Sequence, residues 1–350
     1  NWLVRNPALV YNYGKTETEN YSARATIRPW NSLRIELNAN KNYSENFSQP
    51  YYFNDTTQMF DFNTTPTFSG NMSVSYLTWK TAFVNVTDAK KEYFSQVFQN
   101  FLDSRDEISQ RLGSQNDSSR FVDGNGYADG YGNTQQDVLM YAFMAGYSGS
   151  DPTKMKLHTV KSQLPLPNWR ITFDGLSKWA PLKDIFQSVS LNHGYRSSFN
   201  VSSFTRNLNY QGDEQGNAYA RDMINGNIIS ENLITGVSIS EQLSPLIGID
   251  TRLKNSLNLR FEYRKDRNVS LSMANNQVTL TKGNEFVVGT GYKFKNLKLF
   301  KVGPDRRQLQ SDLDVRTDFS IRDNLTVIRL ISDGSNQVTS GQNIWSLKIT

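Results

Sequence analysis

The 350-residue chain contains no cysteine, so it holds neither a disulfide framework nor a thiolate metal site. It also has no long hydrophobic run. The most apolar stretch, from Val138 to Tyr147, is far shorter than the ~20 residues of a membrane-spanning helix. We therefore expect no transmembrane helix, and the first residues do not resemble a signal peptide. The chain begins at Asn1 in a stretch that already looks structured, so we expect it to lack its true start.

Charge of one sign is not in large excess. The net charge is +5, from 38 Lys and Arg against 33 Asp and Glu, and the basic residues are scattered, which argues against a nucleic-acid partner. Hydrophobic residues make up 37 % of the chain, yet 12 % of all residues are aromatic. Disordered chains are poor in aromatic residues. Strands with one apolar and one polar face would produce this composition.

Alternation of apolar and polar residues is the strongest local pattern. It runs from Ser256 to Asp266 and again from Gln310 to Arg322, and period two is typical of β-strands with two unlike faces. Between two such runs, 265–268 predicts a turn. About a dozen segments have this pattern, many near the ~9–11 residues with which a tilted strand crosses an outer membrane.

The nature of the polar face decides the fold class, because a soluble β-sandwich shows the same alternation. Charged residues fill one face over a full spanning length, and Trp30 and Trp345 lie where interfacial aromatic residues are expected. The sequence thus predicts an all-β fold, part of a large antiparallel transmembrane β-barrel with a helical/loop insertion. On the other face, Leu259, Phe261, Leu313 and Phe319 would contact lipid or the outer packing of the barrel. The predicted lumen-facing residues are Arg260, Glu262, Arg264, Asp312, Asp314 and Arg316.

The alternation is interrupted by a predicted insertion at 88–152. It consists of a helix at 88–112 with Asp88 as N-cap and Gly113 after its end, a Gly/Asn/Ser-rich loop at 113–133, and a short helix at 137–147. The first helix has an apolar stripe that needs a partner, and it is too short and too charged to span a membrane. We expect the two helices to pack together as a cap, or as an inward-folded insertion, at one mouth of the pore.

Catalytic and metal-binding motifs are not apparent. No serine or acid is tied by spacing to His158 or His193, so a packed or interfacial histidine is the simpler interpretation. The loop Asp123–Gly132 departs from a calcium loop at Tyr127 and Ala128. We predict that the protein is not an enzyme and holds no cofactor or metal.

Several stretches resemble the carboxy-terminal part of the Sov/SprA family, the outer-membrane translocon of the type IX secretion system. They are DVLMYAFMAGYSGSDP at 137–152, LPLPNWRITFDGLSKW at 164–179, FQSVSLNHGYRSSFNVSSF at 186–204 and SGQNIWSLKIT at 340–350. Together with the strands between them, the resemblance extends from about Ser69 onward. Because the chain stops inside an alternating run, we expect further strands beyond Thr350.

The resemblance implies a function and a set of partners. The function is passage of folded proteins through a very wide barrel in the bacterial outer membrane to the cell surface. The implied partners are cargo with a carboxy-terminal signal domain, a small barrel of the PorV type, a periplasmic plug protein and outer-membrane lipid. Two alternatives stay open: a TonB-dependent type of transporter, and a surface adhesin or soluble β-solenoid.

Overall fold

A computed structural model describes residues 3–62, 65–87, 93–117, 119, 124–157, 160–215, 217–302 and 307–350, with main chain alone at 160, 298–302 and 307–310. Eleven strands of this part of the chain form one antiparallel sheet, which confirms the predicted all-β class. In chain order the strands are β1 Tyr11–Trp30, β2 Leu33–Asn54, β3 Met59–Asp61, β4 Thr67–Ser75, β5 Asn168–Phe173, β6 Phe186–Arg206, β7 Asn232–Leu253, β8 Leu257–Ser272, β9 Gln277–Val302, β10 Arg307–Leu330 and β11 Asn336–Ile349.

The sheet is an up-and-down arrangement with two open edges. Its order is β1-β2-β4-β6-β7-β8-β9-β10-β11, with the short β3 paired to β2. Within the described residues, β1 and β11 each pair with a single strand, β2 and β10 respectively. Many strands have 20 or more residues, so each extends well past the ~9–11 residues of one membrane crossing.

One strand position is shared by β4 and β5. Both are antiparallel to β2 and β6: β4 pairs with 41–48 of β2, and β5 pairs with 33–38. The two strands therefore follow each other along one line in the same direction. The chain leaves this line after Ser75 and returns at Leu166, whose N–H donates to the Ser75 carbonyl at 2.9 Å. We call residues 76–167 the insertion.

The side chains of strand β8 define the two faces of the sheet. It pairs without a register shift with β9 from Leu257 to Ser272, so the turn predicted at 265–268 is wrong. Those polar residues keep the alternation and the ladder hydrogen bonds, which outweigh their local turn preference. We call the side that carries Leu259 and Phe261 the hydrophobic face. The side that carries Arg260, Glu262 and Arg264 is the charged face.

Helix α1 begins later than the sequence predicted. It spans Gln96–Ser114, and the Ser95 hydroxyl caps it by accepting a hydrogen bond from the Phe98 N–H. Tyr93 has a positive φ of 54° and cannot continue a helix, while Asp88 lies outside the described residues. Gly113 lies inside the helix, where a Cβ would come within 2.4 Å of Ala128.

Helix α2 spans Gln136–Ser148, one residue beyond the prediction at each end, and it is buried along most of its length. It packs on α1 through Phe143 and Tyr147, which both contact Phe101. The close approach requires Gly146, because a Cβ there would lie 2.7 Å from the Phe101 Cα. None of the described helices is long and apolar enough to cross a membrane. A one-turn helix α3, Ala180–Lys183, precedes β6.

Candidate functional site: the two faces of the sheet

All six residues predicted to line a lumen lie on the charged face. Arg260, Glu262 and Arg264 alternate along β8. In β10, Asp314 is opposite Lys293 of β9, and directly opposite residues point to the same face of a sheet. The sheet thus brings the two predicted triplets, from β8 and β10, to one side, with β9 between them.

Glu262 is the centre of an ion-pair network on the charged face. It is only 6 % exposed, and its carboxylate accepts hydrogen bonds from Arg260 Nε at 2.7 Å and Arg264 Nε at 2.8 Å. Arg264 also lies 3.3 Å from Glu285 of β9. Arg322 of β10 reaches 4.0 Å from that same Glu285 carboxylate. Charges of both signs therefore alternate across three strands.

The second triplet is more exposed. Asp312 pairs with Lys293 at 2.9 Å, and Arg316 pairs with Asp314 at 3.1 Å. An open groove of about 550 Å³ lies beside this triplet, and its lining includes Asp314, Arg316 and Arg260. Neither sign of charge dominates the groove.

Along the strands, one half of the hydrophobic face is exposed and the other half is buried. In β8, Leu259 is 42 % exposed, whereas Leu271 near the other end of the strand is 1 % exposed. The exposed half continues from strand to strand, because cross-strand partners share a face. We call this half the apolar belt; it comprises Ile27, Ile35, Leu37, Ile171, Phe173, Leu191, Ile247, Ile249, Leu259, Phe261, Tyr263, Phe286, Val288, Tyr292, Phe294, Leu313, Val315, Phe319, Ile321, Trp345, Leu347 and Ile349.

The belt has the height of a membrane crossing and aromatic borders. In β9 it runs from Phe286 to Phe294, about nine positions against the ~9–11 of a tilted spanning strand. Trp30 and Trp179, both more than half exposed, lie at the border near the short turns. The other border carries Trp79, Trp169, Tyr263 and Trp345. Tryptophan and tyrosine are enriched at the membrane–water interfaces of membrane proteins, because each side chain combines an apolar ring with a polar group that contacts water.

The insertion covers the remaining half of the hydrophobic face. Phe98, Phe101 and Phe143 of its helices share one buried cluster with Ile239 of β7 and Leu271 of β8. This is the side opposite to Arg260 and Glu262. The alternative of an insertion folded onto the same side as the predicted lumen residues is therefore wrong. The apolar stripe of α1 instead packs against the half of the hydrophobic face that lies outside the apolar belt.

A polar row crosses the hydrophobic face between the belt and this cluster. Ser197, Glu241, Arg267 and Lys282 are consecutive cross-strand partners in β6 to β9. Arg267 pairs with Glu241 at 2.9 Å and donates to the Thr81 carbonyl at 3.0 Å, and both charged residues are at least nine-tenths buried. The row attaches the first turn of the insertion, Trp79–Thr81, to the sheet.

Sequence reasoning missed the polar row. Glu241, Arg267 and Lys282 occupy positions that the alternation assigns to the apolar side, so each interrupts the pattern of its own strand. Such interruptions were the available signal. Their significance depends on register between strands, which the alternation of one strand does not report. His193 packs against Trp79 and Trp169, and its Nδ1 lies 2.7 Å from the Leu246 carbonyl; His158 lies outside the described residues.

The connection between β6 and β7 contacts the insertion through an ion pair. Arg221 donates two hydrogen bonds to Asp129, at 2.8 and 2.7 Å. These bonds hold the pKa of Asp129 below its ordinary value of 3.8. Nearby, Ile228 packs on Ala128 and Tyr131, so the described end of the Gly-rich loop, 128–131, contacts the β6–β7 connection.

This ion pair predicts acid sensitivity of the loop. Because the folded-state pKa of Asp129 is depressed, the stabilisation is present above the ordinary pKa and is lost as pH falls through the folded value. We expect Asp129→Asn to increase hydrogen exchange at 217–230 at neutral pH, after correction for the intrinsic rate. The difference between variant and wild type should shrink progressively below about pH 4. A difference independent of pH would contradict the assignment.

Neither a scan against models of known protein families nor a search of curated proteins finds a match to the chain. The geometry of the two faces therefore carries the functional argument.

Proposed function

We propose that the sheet is a segment of the wall of an outer-membrane β-barrel, with the apolar belt against lipid and the charged face against an aqueous lumen. The main observation in support of this proposal is the exposed apolar belt. Aromatic residues lie at both of its borders, and the polar row lies along one of them. A soluble sandwich would cover such a belt with a second sheet. Within the described residues, the insertion covers only the half of the face beyond the polar row.

The open edges of the sheet support the proposal that the barrel wall contains more strands than this segment. A strand edge exposed to hydrocarbon leaves N–H and C=O groups without partners, at a cost of several kcal/mol for each group. In a membrane, β1 and β11 would therefore pair with strands outside the eleven seen here. We propose that these strands belong to the same very large barrel, in keeping with the resemblance to the Sov/SprA family.

The proposed cargo is folded protein. Charged residues of both signs lie side by side on the charged face, for example Arg260 with Glu262 and Asp314 with Arg316. Pores for small ions usually concentrate one sign of charge at a constriction. A wide lumen with strong single-sign fields would retain oppositely charged cargo. The mixed face suits passage of whole proteins without chemistry, and the resemblance supplies the type IX class of cargo.

The proposed orientation follows from the loops. The two-residue turn after Trp30 and the short turn after Leu253 lie at one end of the sheet. The insertion and the long connection between β6 and β7 lie at the other. Outer-membrane barrels have short periplasmic turns and long extracellular loops. We therefore place the insertion at the cell surface, where it is available to the PorV-type partner. The plug protein would act from the periplasmic end.

The test is depletion of the intact protein in its own bacterium, followed by measurement of surface delivery of proteins that bear the type IX carboxy-terminal signal. We expect these proteins to accumulate inside the cell while uptake of small nutrients continues. Normal surface delivery together with failed uptake of a nutrient would reject the translocon and favour a TonB-dependent type of transporter.

A further inference from the structure

We propose that a cationic cavity between the insertion and the sheet binds the phosphate of an anionic lipid headgroup. This proposal rests on the assignment of the apolar belt to the membrane. The cavity has a volume of about 140 Å³ and lies where the belt ends. Its lining includes Tyr147 of α2, Lys265 and Arg267 of β8, and Lys282 of β9.

Among the described residues, only one of the three cations that line the cavity has an ion pair within 4 Å. Arg267 is paired with Glu241. The other oxygen of that carboxylate already accepts a hydrogen bond from the Thr78 hydroxyl at 2.5 Å. Among the described residues, no carboxylate lies within 4 Å of the ammonium of Lys265 or Lys282; Lys265 instead lies 5.1 Å from the Phe83 ring centre. Two half-buried cations thus face one small space, an arrangement that calls for an anion.

Unused hydrogen-bond donors surround the same space. The Tyr147 hydroxyl and Arg267 Nε are buried and have no partner among the described residues. Both residues line the cavity and are at least nine-tenths buried. Buried donors are normally paired. A phosphate has several acceptor oxygens and would accept from both while pairing with the lysines.

The position of the cavity distinguishes a lipid from a free ion. Tyr263, at the border of the apolar belt in β8, is part of the cavity lining and stacks on Phe286 at 4.5 Å. Acyl chains attached to a phosphate in the cavity would therefore lie along the belt. Basic side chains at this depth commonly extend their charged ends to the headgroup layer. A dissolved phosphate would gain nothing from this continuity.

The experiment uses the intact protein, purified in a non-ionic detergent, with phosphatidic acid as the probe and phosphatidylcholine as the reference lipid. Native mass spectrometry counts bound lipid and measures its affinity. We expect tight binding of phosphatidic acid, with the affinity reduced about 30-fold in Lys265→Gln/Lys282→Gln. Each lysine near a lipid phosphate contributes about 1 kcal/mol, and the loss of about 2 kcal/mol corresponds to this factor. Lys293→Gln removes a lysine from the charged face and should leave binding unchanged. Tyr147→Phe preserves packing and should reduce affinity less than the double variant.

Three outcomes would overturn the proposal. Equal binding of phosphatidic acid by wild type and the double variant would remove the site. Competition by millimolar inorganic phosphate with equal affinity would identify a site for a free anion instead. Equal affinity for phosphatidylcholine, in which choline balances the charge of the phosphate, would show that the site does not select an anionic headgroup. A protein that fails to insert into vesicles at all would reject the membrane assignment itself, which a flotation assay on the same preparation reports separately.

Discussion

Arginine in place of Phe319 is expected to destabilise the membrane-inserted protein by about 2–4 kcal/mol, the cost of a cation near the bilayer midplane on the lipid side of a barrel. Phe319 lies opposite Val288 and Leu347, and its ring centre is 5.9 Å from that of Trp345. The guanidinium would have no acid beside it in the belt. Equilibrium unfolding in lipid vesicles measures the loss.

Ser320→Arg is the matched control, because it places the same residue at the next position of β10 on the charged face. Ser320 lies opposite Val287 and Ser346, and Asp318 is two positions away on the same face. We expect a change within about 0.5 kcal/mol, as for most surface substitutions. Equal tolerance of arginine at both positions would contradict the assignment of the two faces.

Arg267→Met is expected to cost about 3–5 kcal/mol, because it leaves the carboxylate of Glu241 buried without its cation. Arg267 also donates to the carbonyl and hydroxyl of Thr81, each at 3.0 Å. The loss should therefore be concentrated in the attachment of the insertion. Pulse proteolysis of the intact protein in increasing urea, with cleavage sites mapped to 76–167, measures it.

The double variant Arg267→Met/Glu241→Gln tests the cause of that loss. Removing both charges avoids an uncompensated buried carboxylate, so the double variant should be more stable than the single one. Arg316→Met breaks an exposed pair with Asp314 and should cost at most about 1 kcal/mol. If Arg316→Met loosened the insertion as much as Arg267→Met, the polar row would not be what attaches it.

Period-two alternation predicted that these segments are strands and that each strand has two unlike faces. Leu259 and Arg260 are separated onto opposite sides because successive residues in any strand point in opposite directions. A different local rule, the turn preference of residues such as Asp and Asn, predicted a turn at 265–268 and failed, since pairing with β7 and β9 holds Asp266 in the ladder. Tertiary hydrogen bonds outweighed local preference there.

The division of the hydrophobic face could not be predicted from the sequence. Leu259 and Leu271 have the same alternation in the same strand, and only the fold places α1 and α2 over the second of them. The pairing of Glu241 with Arg267 likewise depends on the register between β7 and β8. These are contacts between residues far apart in the chain, and the alternation within one strand carries no information about them.

The most direct test of the central claim is site-directed spin labelling of the intact protein in its native outer membrane. These 350 residues contain no cysteine, so a label at Thr317→Cys, in the middle of the belt, or at Ser320→Cys on the charged face is the only one in this segment. Any cysteine elsewhere in the intact protein is first replaced by serine. We predict that the label at 317 is relaxed mainly by oxygen, which concentrates in hydrocarbon, and the label at 320 mainly by a water-soluble nickel chelate. Preferential relaxation of the label at 317 by the nickel chelate would contradict the account.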